Sequence, residues 1–169
     1  IRAASPVLNF ECAAHEAMID VALRLKPDWV CLVPEKREEL TTEGGMDVRA
    51  TEVLVAAIDT LQEAQIKVSL FVDPDETVVS RCKALGVDAI ELHTGTYANA
   101  GKDEVSRELE RLQRASILAE KLGIGVHAGH GLTLDNLGPV AAIEEIAELN
   151  IGHALVADAL FMDGLSGAV

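Results

Sequence analysis

A short apolar run followed by a helical segment recurs six times along this chain of 169 residues. The apolar runs predict strands at about 7–11, 28–33, 67–72, 87–92, 124–128 and 149–152. Because the runs are apolar on both faces and alternate with helical patterns, they predict a parallel sheet covered by helices. The fold class indicated is therefore α/β.

The spacing of the strands leaves two architectures open. Their starts lie on average roughly 28 residues apart, close to the spacing in a (β/α)8 TIM barrel of about 250 residues. Six units cannot close such a barrel, so the chain is either an open doubly wound sheet or a barrel that lacks two units at its start. The opening segment, I-R-A-A-S-P, looks like the tail of a helix and favours the second architecture.

Helices are predicted between the strands over about 15–25, 49–64, 73–86 and 103–122, and from about 135 and 153. The third has a distinct start signal. Asp73 is the predicted N-cap, Pro74 a first-turn proline and Glu76 the N3 glutamate of a capping box. Gly86 is expected to end this helix.

The net charge and the length of the apolar runs argue against nucleic acid and membranes as partners. The formal net charge is −14, whereas nucleic acid and anionic membranes bind basic surfaces. No apolar run reaches the roughly 18 residues that a membrane span needs, and no charged-then-apolar leader is present. We therefore expect a cytoplasmic protein without nucleic-acid or membrane partners. Cys12, Cys31 and Cys82 are odd in number and form no C-x-x-C pair, which predicts buried free thiols.

Ionisable and hydroxyl side chains lie where predicted strands end. Glu11 is the last residue of its strand, Glu91 and His93 end theirs, His130 follows the fifth, and Thr41 lies in the loop after the second. Because parallel strands end at one rim, these side chains are expected to gather at the rim where α/β enzymes carry out chemistry.

Each of these residues also has a structural explanation. Glu11 could cap a helix or pair with a lysine. Glu91 and His93 share one face of their strand with Ala89, and two polar groups pointing into a barrel mouth are hard to explain as packing. His130 could be a turn histidine whose hydrogen bonds are satisfied, but its position between two glycines favours a functional role.

His15 and His127 are predicted to be structural. We expect His15 on a solvated helix turn and His127 within its strand or just at its end.

Glycines near predicted helix starts suggest phosphate binding. Gly129 and Gly131 precede one helix and Gly152 opens another, and free backbone N–H groups at such positions bind anions without a basic side chain. The alternative is that βα turns use glycine for conformational reasons alone. Lys36 and Arg37 are paired cations near the rim, and a loop salt bridge explains them equally well.

Four longer stretches carry a family resemblance. They are L-V-P-E-K-R-E-E-L-T-T-E-G-G-M-D (32–47), E-L-H-T-G-T-Y-A (91–98), H-A-G-H-G-L-T (127–133) and L-N-I-G-H-A (149–154). In this order and over the whole chain they closely resemble the pyridoxine 5′-phosphate synthase family of vitamin B6 biosynthesis, from its third strand onward.

The resemblance implies a (β/α)8 barrel, commonly a homo-octamer, of which this chain supplies strands 3 to 8. It implies a ring-forming transferase that condenses 3-amino-1-hydroxyacetone 1-phosphate with 1-deoxy-D-xylulose 5-phosphate into pyridoxine 5′-phosphate, phosphate and water. No metal and no organic cofactor are implied.

The resemblance also assigns roles to residues. It implies that Glu11 is a proton acceptor, that His130 is the proton donor and that Glu91 stabilises the transition state. It implies that Thr41 contacts the deoxyxylulose phosphate and that the aminoketone phosphate is bound by Gly131, Gly152 and His153.

The chain departs from the family pattern in several places. Nothing matches the family's first two units, and its C-terminal helix is shortened, so we expect one barrel domain over residues 1–169 that is incomplete at both ends and inactive alone. Asp158 stands where some relatives have arginine, and His127 replaces an asparagine.

Two alternatives stay open. A phosphosugar aldolase or isomerase would need a lysine or a single enolising base at the rim, and the only strand lysine, Lys67, opens its strand. The other is a non-catalytic binding or scaffold piece.

Overall fold

One parallel sheet organises the computed structural model, which describes residues 6–34, 44–49, 51–161 and 164. Within these residues the strands are β1 (Asn9–Ala13), β2 (Trp29–Val33), β3 (Lys67–Val72), β4 (Ala89–His93), β5 (Gly125–Gly129) and β6 (Glu148–Asn150). Each strand pairs in parallel with the next one along the chain. The prediction of an α/β fold with a parallel sheet is therefore confirmed.

The sheet is curled into a half-barrel. A flat sheet would hold β1 and β6 about 24 Å apart, because neighbouring strands lie about 4.8 Å apart. Glu11 of β1 and Asn150 of β6 nevertheless line the same cavity. The sequential strand order also differs from that of doubly wound sheets, whose order reverses at a switch point. The fold is thus consistent with part of a TIM barrel.

The helices connect the strands. They are α1 (Glu16–Leu25), α2 (Glu52–Glu63), α3 (Glu76–Ala84), α4 (Gly95–Asn99), α5 (Val105–Lys121), α6 (Leu137–Ala141) and α7 (His153–Phe161). The sequence analysis missed α4, which lies in what reads as a polar insert. No helix in the described ranges is long and apolar enough to cross a membrane.

The core lies between the convex face of the sheet and the helices. Its fully buried side chains include Leu32, Leu70, Ile90 and Leu92 from the strands and Ile58, Leu61 and Leu112 from the helices. Each such side chain contributes about 1.5–3 kcal/mol on burial. Because alternate strand residues point to opposite faces, packing this convex face fixes which residues face the concave side.

The start of α3 corrects one prediction. Asp75, and not Asp73, is the N-cap: its Oδ1 accepts hydrogen bonds from the backbone N–H groups of Thr77 and Val78 at 2.8 and 3.1 Å. Glu76 is consequently the first helical residue. The Asp73 carboxylate is engaged elsewhere, by the backbone N–H of Gly45 at 2.9 Å.

The start of α1 is capped by His15. Its Nδ1 accepts a hydrogen bond from the backbone N–H of Ala17 at 3.2 Å.

Candidate functional site

A cavity of about 910 Å³ opens at the carboxyl ends of the strands, on the concave face. Its volume lies within the range of about 300–1,000 Å³ that is usual for small-molecule sites. The predicted site residues that line it are Glu11, Glu91, His130, Gly131, Gly152 and His153. The predicted substrate contact Thr41 lies outside the described residues, as do Lys36 and Arg37.

Glu91 lies in the middle of β4 and is 7% exposed. Its Oε2 accepts a hydrogen bond from Asn150 Nδ2 at 2.8 Å and a weaker one from the Cys31 thiol at 3.6 Å. A Cβ at position 129 would collide with Glu91 Oε1, so the carboxylate reaches Asn150 across a strand position where only glycine fits.

Burial raises the pKa of Glu91 above its ordinary value, and the hydrogen bonds from Asn150 and Cys31 offset part of that rise. Burial, with the nearby charge of Glu91, also raises the pKa of the Cys31 thiol. Cys31 is therefore a protonated donor to the carboxylate, and not a thiolate nucleophile.

Glu11 is the second carboxylate of the cavity. It lies within β1, two residues before the end of the strand rather than at its end, and it is exposed. Its charge contributes to the raised pKa of Glu91. The cavity thus contains one exposed and one buried glutamate.

His130 follows β5 directly and has a φ of +85°. This left-handed conformation costs a residue with a side chain on the order of 1–3 kcal/mol. The Thr94 hydroxyl lies 2.7 and 2.6 Å from the carbonyl oxygens of Gly129 and His130, and its single hydrogen is shared between these two acceptors. The ring of His130 lies against Phe71 and His93, with centroid separations of 6.0 and 5.2 Å.

Two glycine turns complete the wall of the cavity. Gly131 has a φ of +75°, and a Cβ there would lie 2.8 Å from Ala98 Cβ. Gly152 and His153 stand at the start of α7, and they and Ala154 line the cavity. The first N–H groups of a helix have no partner within it, so the cavity wall includes a helix N-terminus.

Several cavity residues were not identified from the sequence. Asn150 and Phe71 line the cavity, whereas the predicted rim residue His93 lies behind its wall. Alternation along β3 and β6 could have placed Phe71 and Asn150 on the concave face. The hydrogen bond from Asn150 to Glu91 depends on the register of neighbouring strands, for which the sequence carries no direct signal.

The three cysteines are free and buried, as predicted. His127 lies within β5, is buried, and packs edge-on against Trp29 at 5.3 Å.

Comparison with known proteins gives a consistent family. Residues 2–169 match the family described as pyridoxal phosphate biosynthesis protein PdxJ. A pyridoxine 5′-phosphate synthase from Zymomonas mobilis subsp. mobilis is 53% identical over 163 residues, which are 96% of this chain and 63% of that protein. Another, from Pseudoalteromonas translucida, is 52% identical over 164 residues, 96% of this chain and 67% of that protein. The chain therefore spans about two thirds of the length of these relatives.

Among solved structures, a GH18 chitinase from Pseudoalteromonas aurantia superposes with a TM-score of 0.60 over 92% of this chain and 73% of its own, at 14% identity. At that identity the likeness is one of fold alone.

Proposed function

This chain belongs to the PdxJ family of pyridoxal phosphate biosynthesis proteins, and we propose that it carries the active site of a pyridoxine 5′-phosphate synthase. The reaction condenses 3-amino-1-hydroxyacetone 1-phosphate with 1-deoxy-D-xylulose 5-phosphate, giving pyridoxine 5′-phosphate, phosphate and water. The catalytic unit is a barrel of eight βα units, assembled as a homo-octamer in the cytoplasm. The observation that carries the proposal is that one cavity is lined by residues that motif resemblance assigns to one reaction, although they lie in β1 and β4 and after β5 and β6.

The two carboxylates of the cavity, Glu11 and Glu91, have different roles in the proposed reaction. Imine formation, phosphate loss and ring closure move protons on and off carbon and oxygen, so the site needs groups with different proton affinities. Glu11, exposed in the cavity, accepts a proton from the substrate. Glu91, buried and hydrogen-bonded by Asn150, stabilises positive charge that develops at the nitrogen of the forming ring.

Whereas Glu11 accepts a proton from the substrate, His130 donates a proton to it. An imidazole changes protonation near neutral pH and serves as a donor to a departing oxygen. His130 lines the same cavity as the start of α7, where the phosphate of the aminoketone would rest on the backbone N–H groups near Gly152 and His153. Gly131 lets the chain turn close to that phosphate. This anion site suits a chain with a formal net charge of −14, because it requires no basic surface.

A lysine-dependent aldolase reaction is not supported. None of the described residues that line the cavity is a lysine. Lys67 is the first residue of β3, at the amino end of the sheet, and its Nζ lies 4.9 Å from the centre of the Trp29 ring.

The test follows pyridoxine 5′-phosphate by its absorbance after both substrates are added. Two preparations are compared: the chain alone, and the chain preceded by two βα units, about 60 residues, taken from a relative. We expect turnover from the longer preparation, dependent on both substrates. Product from neither preparation, with both folded, would contradict the proposal.

Glu11→Gln in the active preparation provides the inactivated control. The amide keeps the size of the side chain but cannot accept a proton, so the rate is expected to fall by about 100-fold or more. Unchanged turnover would remove Glu11 from the mechanism.

A further inference from the structure

We propose that Asp73 and His93 are positioning residues for His130: Asp73 fixes the tautomer of His93, and His93 Nε2 accepts a hydrogen bond from the His130 imidazole in the working enzyme. The inference rests on the proposed function only for the role of His130. The contacts among the three residues stand independently of it.

Asp73 holds one nitrogen of His93. Its Oδ1 lies 3.3 Å from His93 Nδ1. This contact lowers the pKa of Asp73, and the N–H of Gly45 lowers it further. An ionised carboxylate only accepts hydrogen bonds, so the proton of the neutral imidazole belongs on Nδ1 and leaves Nε2 as an acceptor.

His93 Nε2 needs a partner. His93 is 5% exposed, and within the described part of the chain its Nε2 is buried without a hydrogen bond. Leaving a buried polar atom without a hydrogen-bond partner is unfavourable. The His130 ring is adjacent, at 5.2 Å between centroids and tilted by 59°. A modest rotation of His130 therefore brings an N–H donor to Nε2.

The space between the two rings is kept open by Gly95. A Cβ there would collide with His93 Nε2 and lie 3.3 Å from His130 Cδ2. Gly95 is the first residue of helix α4, and a side chain at this position would enter the space between the two imidazoles.

A hydrogen bond to His93 would fix the orientation of the His130 ring, the proposed proton donor. As an imidazolium, His130 has two N–H groups; one donates to His93 Nε2 and the other faces the substrate in the cavity. The ionised Asp73 keeps the acceptor nitrogen of His93 turned toward this cation; in a Ser-His-Asp triad the aspartate instead bonds the charged histidine directly. Asp73 also accepts a hydrogen bond from the backbone N–H of Gly45, which follows the cavity residue Gly44.

Kinetics of four variants test the inference. His93→Leu removes the acceptor, Gly95→Ala places a methyl group between the rings, and Asp73→Asn can donate to Nδ1 and so reverse the tautomer. Each is expected to lower kcat on the order of 10-fold to 100-fold, the lower part of what an acid or base group contributes, with KM changed less than about 3-fold. His93→Gln keeps an amide oxygen near the place of Nε2 and is expected to recover part of the loss. His15→Ala replaces the exposed N-cap histidine of α1, outside the cavity; it is the control and should leave kcat unchanged even if the lost cap lowers stability.

Equal kcat losses in His93→Gln and His93→Leu, or wild-type kcat in Gly95→Ala with its fold intact, would overturn the inference.

The tautomer gives a readout that does not require activity. Nitrogen-15 NMR of the imidazoles should show the proton of His93 on Nδ1, and on Nε2 in Asp73→Asn, while His15 is unaffected. This result would stand even if no synthase activity were found. If His93 instead carries its proton on Nε2 in the unmodified protein, the positioning role is wrong even though the protein turns over.

Discussion

Two histidine clusters occupy opposite ends of the concave face of the sheet. The carboxyl-end cluster consists of Phe71, Asp73, His93 and His130, and the amino-end cluster consists of Trp29, Lys67, His127 and Glu148. In each, a buried histidine packs edge-on against an aromatic ring, at 5.2 Å for His93 and 5.3 Å for His127. Each of the two also has one ring nitrogen without a hydrogen-bond partner among the described residues. Residue type therefore does not separate the clusters.

What separates them is the distance to the carboxylate and the access to the cavity. Asp73 lies within hydrogen-bond reach of His93 at 3.3 Å, whereas Glu148 is 3.9 Å from His127 Nδ1. Burial lowers the pKa of His127, and the charge of Glu148 only partly opposes this. The carboxyl-end cluster ends at His130 on the cavity wall, but neither His127 nor Lys67 lines that cavity. The amino-end cluster is therefore interpreted as structural packing on the side of the cavity away from its opening.

The largest expected difference between the clusters is in turnover. His130→Ala removes the proposed proton donor and should lower the rate by about 100-fold or more. His127→Asn in the amino-end cluster should leave the rate within about 3-fold, because its ring does not reach the cavity. Steady-state kinetics of the two variants, with thermal melts to confirm folding, measure the contrast. Equal losses in both variants would mean that the two ends of the concave face are not functionally distinct.

A second contrast concerns buried carboxylates, where stability and activity should move in opposite directions. The raised pKa of Glu91 means that the folded state disfavours its charged form. Glu91→Gln removes that cost, keeps an oxygen for Asn150, and should raise the free energy of unfolding at pH 7 by roughly 1 kcal/mol while reducing turnover. Glu108 is equally buried but pairs with Arg111 at 2.6 Å, so Glu108→Gln should lose stability. Denaturant unfolding measures whether the free energy of unfolding rises in Glu91→Gln and falls in Glu108→Gln.

The pH dependence of the Glu91 effect follows from its direction. The folded state binds the proton of Glu91 more tightly than the unfolded state, so its contribution to stability falls as pH rises above about 4.3, the ordinary glutamate value. The advantage of Glu91→Gln should therefore be small near pH 4 and grow toward neutral pH. An advantage that is constant over this range would mean that the substitution acts through packing and not through charge.

The sequence predicted the cavity better than it predicted the contacts inside it. Parallel strands end at one rim whatever their side chains do, so Glu11, Glu91 and His130 could be placed together from strand direction alone. The contact between Asp73 and His93 could not be foreseen, because the sequence alone does not show that Asp75 caps α3 and leaves Asp73 to contact a residue 20 positions away. Helix α4 was missed because five residues are too few to show a helical period.

The smallest predicted effect tests whether the amino-end cluster is only structural. The Lys67 ammonium lies over the Trp29 ring at 4.9 Å, and a cation–π contact at an exposed site is worth about 0.5–1 kcal/mol. Lys67→Met keeps most of the apolar stem, so we expect a loss of about that size, a decrease in Tm of about 1–4 °C, and unchanged turnover. Lys102→Met, at an exposed position between α4 and α5, controls for the general loss of a positive charge. If Lys67→Met abolished turnover while the protein stayed folded, lysine chemistry would have to be reconsidered and the amino-end cluster would be part of the active site.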